Sequence, residues 1–120
     1  MSKVYLSGPM TGRPDYNREA FMAAEASLRK LGFEVVNPHR IPEPPGLRPN
    51  DAEHNWRRYL ARDITLLLTE DVDLVALLPG WWESRGSVLE AKAAEAAGIE
   101  TLPADILIRA EEILRRTHNG

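Results

Sequence analysis

Residues 73–98, DLVALLPGWWESRGSVLEAKAAEAAG, carry a buried strand, a sharp turn and a helix in immediate succession. The apolar run over 73–78 is unbroken, which is typical of a strand that is covered on both faces of a parallel sheet. Pro79-Gly80 ends that run, and the alanine-rich segment over 86–97 predicts a helix that stops at Gly98. Units of this kind build α/β folds with parallel sheets.

The rest of the chain repeats the same alternation. Strands are predicted over 3–7, 33–37 and 99–103, and helices over 16–31, 52–69 and 104–116. Residues 38–50 contain five prolines and predict an irregular loop. We therefore expect residues 1–120 to form one α/β domain of the doubly wound, Rossmann- or flavodoxin-like type. Its mainly parallel sheet should have four to five strands, with helices on both faces.

The bulk composition narrows the classes of function. A net charge of −3 and a pI near 5.6 argue against polymeric nucleic acid as a partner. The chain has no cysteine, which excludes disulfides and thiolate metal sites, and its three histidines, His39, His54 and His118, lack metal-ligand spacing. No apolar run approaches the roughly 20 residues of a membrane helix. We expect a soluble, cytoplasmic protein without a metal site.

Three loops should meet at one edge of the sheet. The carboxyl ends of parallel strands share an edge, and that edge is where such sheets bind ligands. The three segments that follow strands there are SGPMTGR, NPHR and PGWWESRGS.

Glu90 is the first candidate for chemistry. A helix that starts near Ser87, after a tight Gly86-Ser87 segment, places Glu90 in its first turn, where the helix dipole favours the ionised carboxylate that a nucleophile must be. Ser87-Val88-Leu89-Glu90 also matches the S-x-x-E capping box, in which the glutamate only closes the helix end. Spacing alone favours the cap, and the position at the ligand edge favours a function.

Asp63 is the second candidate. It falls on or beside the apolar stripe of its helix, where a carboxylate is uncommon unless it is paired or used. The neighbouring Arg57, Arg58 and Arg62 are alternative partners. If Asp63 is buried beside another carboxylate, its pKa should rise, which would suit a proton donor.

The remaining candidates carry weaker signals. The loop after the first strand offers Gly8 and Arg13 but matches neither common phosphate-binding glycine pattern, so a plain turn is the simpler interpretation. Tyr5 is more often a core residue than a catalytic one at such a position. Trp81 and Trp82 fit a platform for a planar base and a subunit interface equally well.

Four segments in order, VYLSGPMTG, GFEVVNP, RDITLLLTEDVDLVALLPGW and SRGSVLEAKAAEAAG, resemble the nucleoside 2-deoxyribosyltransferase-like superfamily over residues 3–98. The likeness is to a compact, largely uncharacterised bacterial and phage branch. The chain is also similar to the 2′-deoxynucleoside 5′-phosphate N-hydrolases, and a more distant similarity is to the nucleotide phosphoribohydrolases.

The resemblance implies cleavage or transfer at the N-glycosidic bond of a (deoxy)nucleoside or its 5′-monophosphate, without a metal or organic cofactor. It implies that Glu90 is the nucleophile, that Asp63 handles the proton of the departing base and that Tyr5 orients Glu90. It also implies a homodimer or higher homo-oligomer. The residues expected to line the substrate pocket are Gly8, Met10, Arg13, Ser84, Gly86 and Ser87.

One departure from the transferases bears on the substrate. Six residues before the nucleophile they have an Asp that holds the sugar 5′-hydroxyl, whereas this chain has Ser84, as the nucleotide hydrolases do. A neutral hydroxyl tolerates a 5′-phosphate, although the neighbouring Glu83 would oppose one if it faced the pocket. Transferase and hydrolase stay open, and so does the alternative of a non-catalytic nucleotide-binding protein on the same fold.

Overall fold

The computed structural model describes residues 2–119. The strands are β1 (Lys3–Ser7), β2 (Glu34–Val36), β3 (Leu74–Leu77) and β4 (Glu100–Pro103), and the helices are α1 (Arg18–Lys30), α2 (Ala52–Thr69), α3 (Arg85–Ala96) and α4 (Ala104–Asn119). Short 3₁₀ turns cover Pro14–Asn17, Pro38–Arg40 and Trp81–Glu83. Among these helices, none is both long enough and apolar enough to cross a membrane.

The four strands form one sheet in the order β2-β1-β3-β4, and every neighbouring pair is parallel. The predicted doubly wound α/β fold is confirmed, with four strands. The chain leaves β1 toward β2 on one side and later returns to β3 on the other. The carboxyl ends of β1 and β3 therefore flank the point where the strand order reverses, which is the usual ligand crevice of open α/β sheets.

Side chains alternate between the two faces of the sheet and build two separate cores. Val4 and Leu6 of β1 pack in one cluster that also contains residues of α1 and α4. Tyr5 of β1 packs in the other cluster with Leu67 of α2 and Ala94 of α3. Ser7 lies two residues after Tyr5, so it faces α3 as well. This alternation decides which side chains of β1 reach the helix that carries Glu90.

Helix α1 begins at Arg18, two residues later than the sequence pattern predicts. Asp15, Tyr16 and Asn17 have positive φ angles of 48°, 52° and 63°, so the backbone before Arg18 is left-handed and cannot continue into a right-handed helix. The apolar periodicity gave no sign of this break, because none of those three side chains is buried.

Gly8 lets the ends of β1 and β3 approach each other closely. A Cβ placed on Gly8 would lie 2.7 Å from Leu78 Cβ, a separation that side chains do not adopt. The backbone of Gly8 is not in the left-handed region, so a glycine is needed here because a side chain would not fit. The group that fills this space is the side chain of Leu78 and not a ligand.

We expect Gly8→Ala to lower the free energy of unfolding by about 1–3 kcal/mol, because the added methyl group must push Leu78 and β3 away. Gly86→Ala is the matched control. Its added Cβ meets only Ser84 Oγ at 4.0 Å, and alanine favours a helix over glycine by up to about 1 kcal/mol. Urea unfolding of both variants measures the difference, and equal stabilities would contradict the packing argument.

Candidate active site

The Glu90 carboxyl lies between the sheet and α3 and is only 6% exposed. Tyr5 donates a hydrogen bond from its hydroxyl to Oε2 of Glu90, and Ser7 Oγ lies 3.1 Å from Oε1. The hydroxyls of Ser7 and Ser87 are 3.0 Å apart. Ser87 and Glu90 lie three residues apart on one face of α3, so four polar side chains from β1 and α3 share one buried network.

The two serine hydroxyls allow the network to serve Glu90 in both protonation states. When the carboxyl is ionised, Ser7 donates to Glu90 and Ser87 donates to Ser7. When it is neutral, its own O–H can donate a hydrogen bond to Ser7 Oγ, and Ser7 then donates to Ser87. Both hydroxyls rotate freely enough to reverse in this way, so neither state leaves Ser7 without a partner.

Helix α3 begins at Arg85, and Ser84 is its N-cap. Ser84 has the extended backbone of a cap, with φ −100° and ψ 118°, and its hydroxyl accepts a hydrogen bond from the Ser87 amide at 3.3 Å. The prediction of a capping box that starts at Ser87 is wrong, and Glu90 lies in the second turn. Glu90 is therefore not the cap, and its carboxyl points to β1. Gly86 lies inside the helix and makes no tight turn.

Burial and the charge of Asp63 raise the pKa of Glu90 to about 8, while the hydrogen bonds from Tyr5 and Ser7 oppose that rise. The expectation that the helix dipole keeps Glu90 ionised is wrong. That expectation placed Glu90 in the first turn of α3, and the first turn contains no acidic residue. Burial and the neighbouring Glu90 also raise the pKa of the Tyr5 hydroxyl well above 10, so Tyr5 keeps its proton and acts as a donor.

Asp63 reaches the same region from α2 and is 9% exposed. Burial raises its pKa, and Arg62 opposes that rise. Arg62 Nε donates to Asp63 Oδ1 at 2.9 Å, so the arginine partner and the buried setting considered from the sequence are both present. The charge of Asp63 also raises the pKa of Glu90. The more deeply buried Glu90 is the member that holds a proton longer.

Arg62 also joins this region to the proline-rich loop. Its guanidinium donates to the carbonyl of Pro42 at 2.9 Å and to that of Pro38 at 3.3 Å. One arginine thus holds both Asp63 and the loop after β2. From the sequence, Arg62 was expected only as an alternative partner of Asp63, and Ser7 was not among the predicted site residues. The period of two along β1 that puts Ser7 beside Tyr5 was the signal for it.

Arg13 connects the loops that follow β1 and β3. Its guanidinium lies 4.0 Å from the Glu83 carboxylate, and a Cβ on Gly80 would come within 2.6 Å of its Nη2. Glu83 thus faces a cation at this edge. Met10 packs against the cluster on the α1 and α4 side of the sheet, so it does not join the polar network around Glu90.

The tryptophans lie beside this edge. Trp81 packs on the cluster that contains Tyr5, and its ring meets that of Trp82 edge to face with centroids 6.3 Å apart. Trp82 is 63% exposed. Nearby, the guanidinium of Arg85 lies 3.5 Å from the centre of the Trp56 ring, a contact between α3 and α2 that the sequence did not indicate.

Two surface cavities lie away from the carboxylates. One, of about 310 Å³, runs along β2 and is lined in part by Val36 and Arg40, and another, of about 370 Å³, lies between α1 and α4. The carboxylates themselves are below the surface. Between Ser2 and Asn119, no three His, Asp or Glu side chains converge in the manner of metal ligands.

We expect the stability of the protein to fall as pH rises from about 5 to 8. The pKa of Glu90 is 4.5 in the unfolded chain and about 8 in the fold, so the folded state binds an extra proton across that window and loses stability as the proton leaves. The slope approaches about 1.4 kcal/mol per pH unit. The Glu90→Gln variant is the comparison. Its amide can accept a hydrogen bond from Tyr5 and donate one to Ser7, and it does not titrate.

Urea unfolding from pH 5 to pH 8.5 measures this effect. The two proteins should be of similar stability near pH 5, and the variant should be the more stable near pH 8. Parallel curves for the two proteins would contradict a buried, titrating Glu90.

No curated protein matches this chain. A family model described as Domain of unknown function (DUF4406) matches residues 2–102. That range includes β1 through α3 and therefore all of the Glu90 network and Asp63. Because the match covers most of the sequence, the chain belongs to the DUF4406 family.

Proposed function

We propose that this protein cleaves or transfers the N-glycosidic bond of a (deoxy)nucleoside or its 5′-monophosphate through a glycosyl-enzyme on Glu90. The observation that carries the proposal is the setting of Glu90. Its carboxyl does not cap α3, accepts hydrogen bonds from Tyr5 and Ser7 near the carboxyl end of β1, and is close enough to Asp63 for that charge to raise its pKa. The ordered sequence resemblance described above supports the same assignment.

In the proposed reaction, the ionised Glu90 carboxylate attacks the anomeric carbon of the sugar. The bond from that carbon to the base nitrogen breaks, and the base takes a proton from Asp63 as it leaves. An acceptor base or water then attacks the glycosyl ester, gives its proton to Asp63 and releases Glu90. This is the division of labour of retaining glycosidases, and Tyr5 and Ser7 would hold Glu90 in position for both steps.

The proposal requires that the proton shared by the two carboxyls resides on Asp63 in the reactive form. In the empty protein Glu90 holds its proton up to a pH of about 8. A sugar that develops positive charge against Glu90 favours its ionised form, since opposite charges attract strongly where water is excluded. The approach to the transition state would thus favour the form with the proton on Asp63, the residue proposed to give it to the base.

The proposed substrate is a single nucleoside or nucleotide. Ser84 offers a neutral hydroxyl at the start of α3 where an aspartate would repel a phosphate. A Cβ built on Gly86 would meet only Ser84 Oγ, at 4.0 Å, outside the local helix backbone. Arg13 supplies a cation on the facing loop, although Glu83 already pairs with it. A 5′-monophosphate is compatible with these groups.

A second candidate function is binding of a nucleotide without catalysis. The burial of Glu90 favours it, because a carboxyl that is 6% exposed and protonated at neutral pH is not ready to act as a nucleophile in the empty protein. In that case the network would support the fold below a ligand that contacts only the loops.

We expect Glu90→Gln to lower base release from the active substrate by about 10³-fold or more, because the amide keeps the hydrogen bonds but cannot attack carbon. The assay is release of free base from a panel of nucleosides and 5′-monophosphates, with and without an acceptor base. Glu95→Gln, on an exposed position of the same helix, is the matched control and should keep full activity.

The outcomes separate the two candidates. Turnover by the parent protein that survives Glu90→Gln would overturn the role of Glu90. Binding of a nucleotide with no base release by the parent protein, and unchanged affinity in the variant, would support the non-catalytic alternative.

We also expect kcat/KM for base release to fall as pH rises through about 8. The proposed reaction needs one proton on the two carboxyls, and Glu90, with a pKa of about 8 in the free protein, is the group that loses the last one. Above that pH no acid remains to protonate the departing base. A kcat/KM that keeps rising above pH 8 would contradict the assigned roles.

A further inference from the structure

The outer face of α4 carries a row of exposed apolar side chains. Ile106 is 58% exposed, Ile113 is 47% exposed and Leu114 is 53% exposed. Ile106, Ala110, Ile113 and Thr117 are spaced by four, three and four residues, which is the spacing of the seam between two paired helices. Side chains at this spacing form one stripe along the helix, and Leu114 borders it.

The chain itself covers only the opposite face of α4. Ala104 and Leu107 are buried in the cluster shared with β1 and α1, and Ile108 packs against it. Near the other end, Arg115 donates a hydrogen bond to the carbonyl of Leu31 at the end of α1. The inner face is thus fixed to the domain at both ends, and the apolar stripe points away from it.

A row of charged residues runs at helical spacing between the stripe and α1, and its signs alternate: Asp105, Arg109, Glu112 and Arg116. None of the four pairs with an oppositely charged side chain elsewhere in residues 2–119. Asp105 accepts only the amide of Ile106. From Asp105 to Arg116 the charges are negative, positive, negative and positive, and in the opposite direction each sign is reversed. The row is therefore complementary in charge to the same row of a second copy that runs antiparallel to it.

We propose that α4 is a dimerisation helix, which pairs with α4 of a second copy of this chain in antiparallel orientation about a two-fold axis near Ala110. Arg109 of each copy then lies against Glu112 of the other, and Asp105 against Arg116. A parallel pair in register would place like charges together. The small Ala110 side chain lets the two helices approach closely at the axis. This surface is separate from the Glu90 network and independent of the proposed function.

The first test is the association constant by sedimentation velocity of the whole protein over a range of concentrations. Arg109→Glu places like charges opposite each other twice in the dimer, and it should weaken association about tenfold to a hundredfold. The double variant Arg109→Glu with Glu112→Arg restores opposite signs and should recover the parent affinity. Arg109 is exposed, whereas Glu112 is half-buried at the groove beside α1, so urea unfolding of both variants should match that of the parent before their association is compared.

The apolar part has its own matched pair. Ile113→Gln removes one side chain of the stripe from each copy and should weaken association at least tenfold. Leu68→Gln removes a similarly exposed side chain from α2 and should leave the dimer unchanged. A parent protein that stays monomeric at high concentration would overturn the proposal. A dimer that resists both Arg109→Glu and Ile113→Gln would show that another surface holds it.

The absence of native cysteine gives a second, direct readout. Under mild oxidation Ala110→Cys should form a disulfide-linked dimer in high yield, because the two-fold axis brings the two thiols together. Leu68→Cys is the control for chance collisions and should stay monomeric. Equal yields from both variants would contradict the antiparallel arrangement.

Discussion

Burial of the Glu90 carboxyl is the constraint on which the arrangement of this edge depends. An ionised carboxylate loses much of its hydration when it is enclosed, so it must find partners or hold a proton. Here it does both. Tyr5 and Ser7 supply hydrogen bonds, the pKa rises to about 8, and no buried side-chain nitrogen or oxygen in residues 2–119 lacks a partner. Truncation of Glu90 would leave the buried hydroxyls of Tyr5 and Ser7 without this acceptor.

The fold brings these groups together by simple periodicities. The period of two along β1 turns Tyr5 and Ser7 to the same face of the sheet, and the spacing of three along α3 aligns Ser87 with Glu90. Helix α2 packs beside α3 on that face and adds Asp63. Because β1 and β3 are central in the order β2-β1-β3-β4, the network lies beneath the place where the loops diverge.

Much of this was predictable from the sequence, and the failures have physical causes. The strands and the parallel sheet follow from apolar runs and their alternation with helices. The start of α3 does not, because Ser84-Arg85-Gly86-Ser87 and Ser87-Val88-Leu89-Glu90 both place a serine three residues before a polar partner. Local pattern does not choose between them. The choice depends on Glu90 reaching Tyr5 across the core, and that contact joins residues 85 positions apart.

The chemical identity of residue 90 bears on whether this network only supports the fold. A glutamine there would accept from Tyr5 and donate to Ser7, and it would not lose stability as pH rises. A purely structural role therefore gains nothing from a carboxyl and is penalised by it near neutral pH. The same low-dielectric setting that makes ionisation costly in the empty protein strengthens the attraction between Glu90 and a developing cation. The proposed reaction would account for a carboxyl at this position, because it requires the group to become ionised.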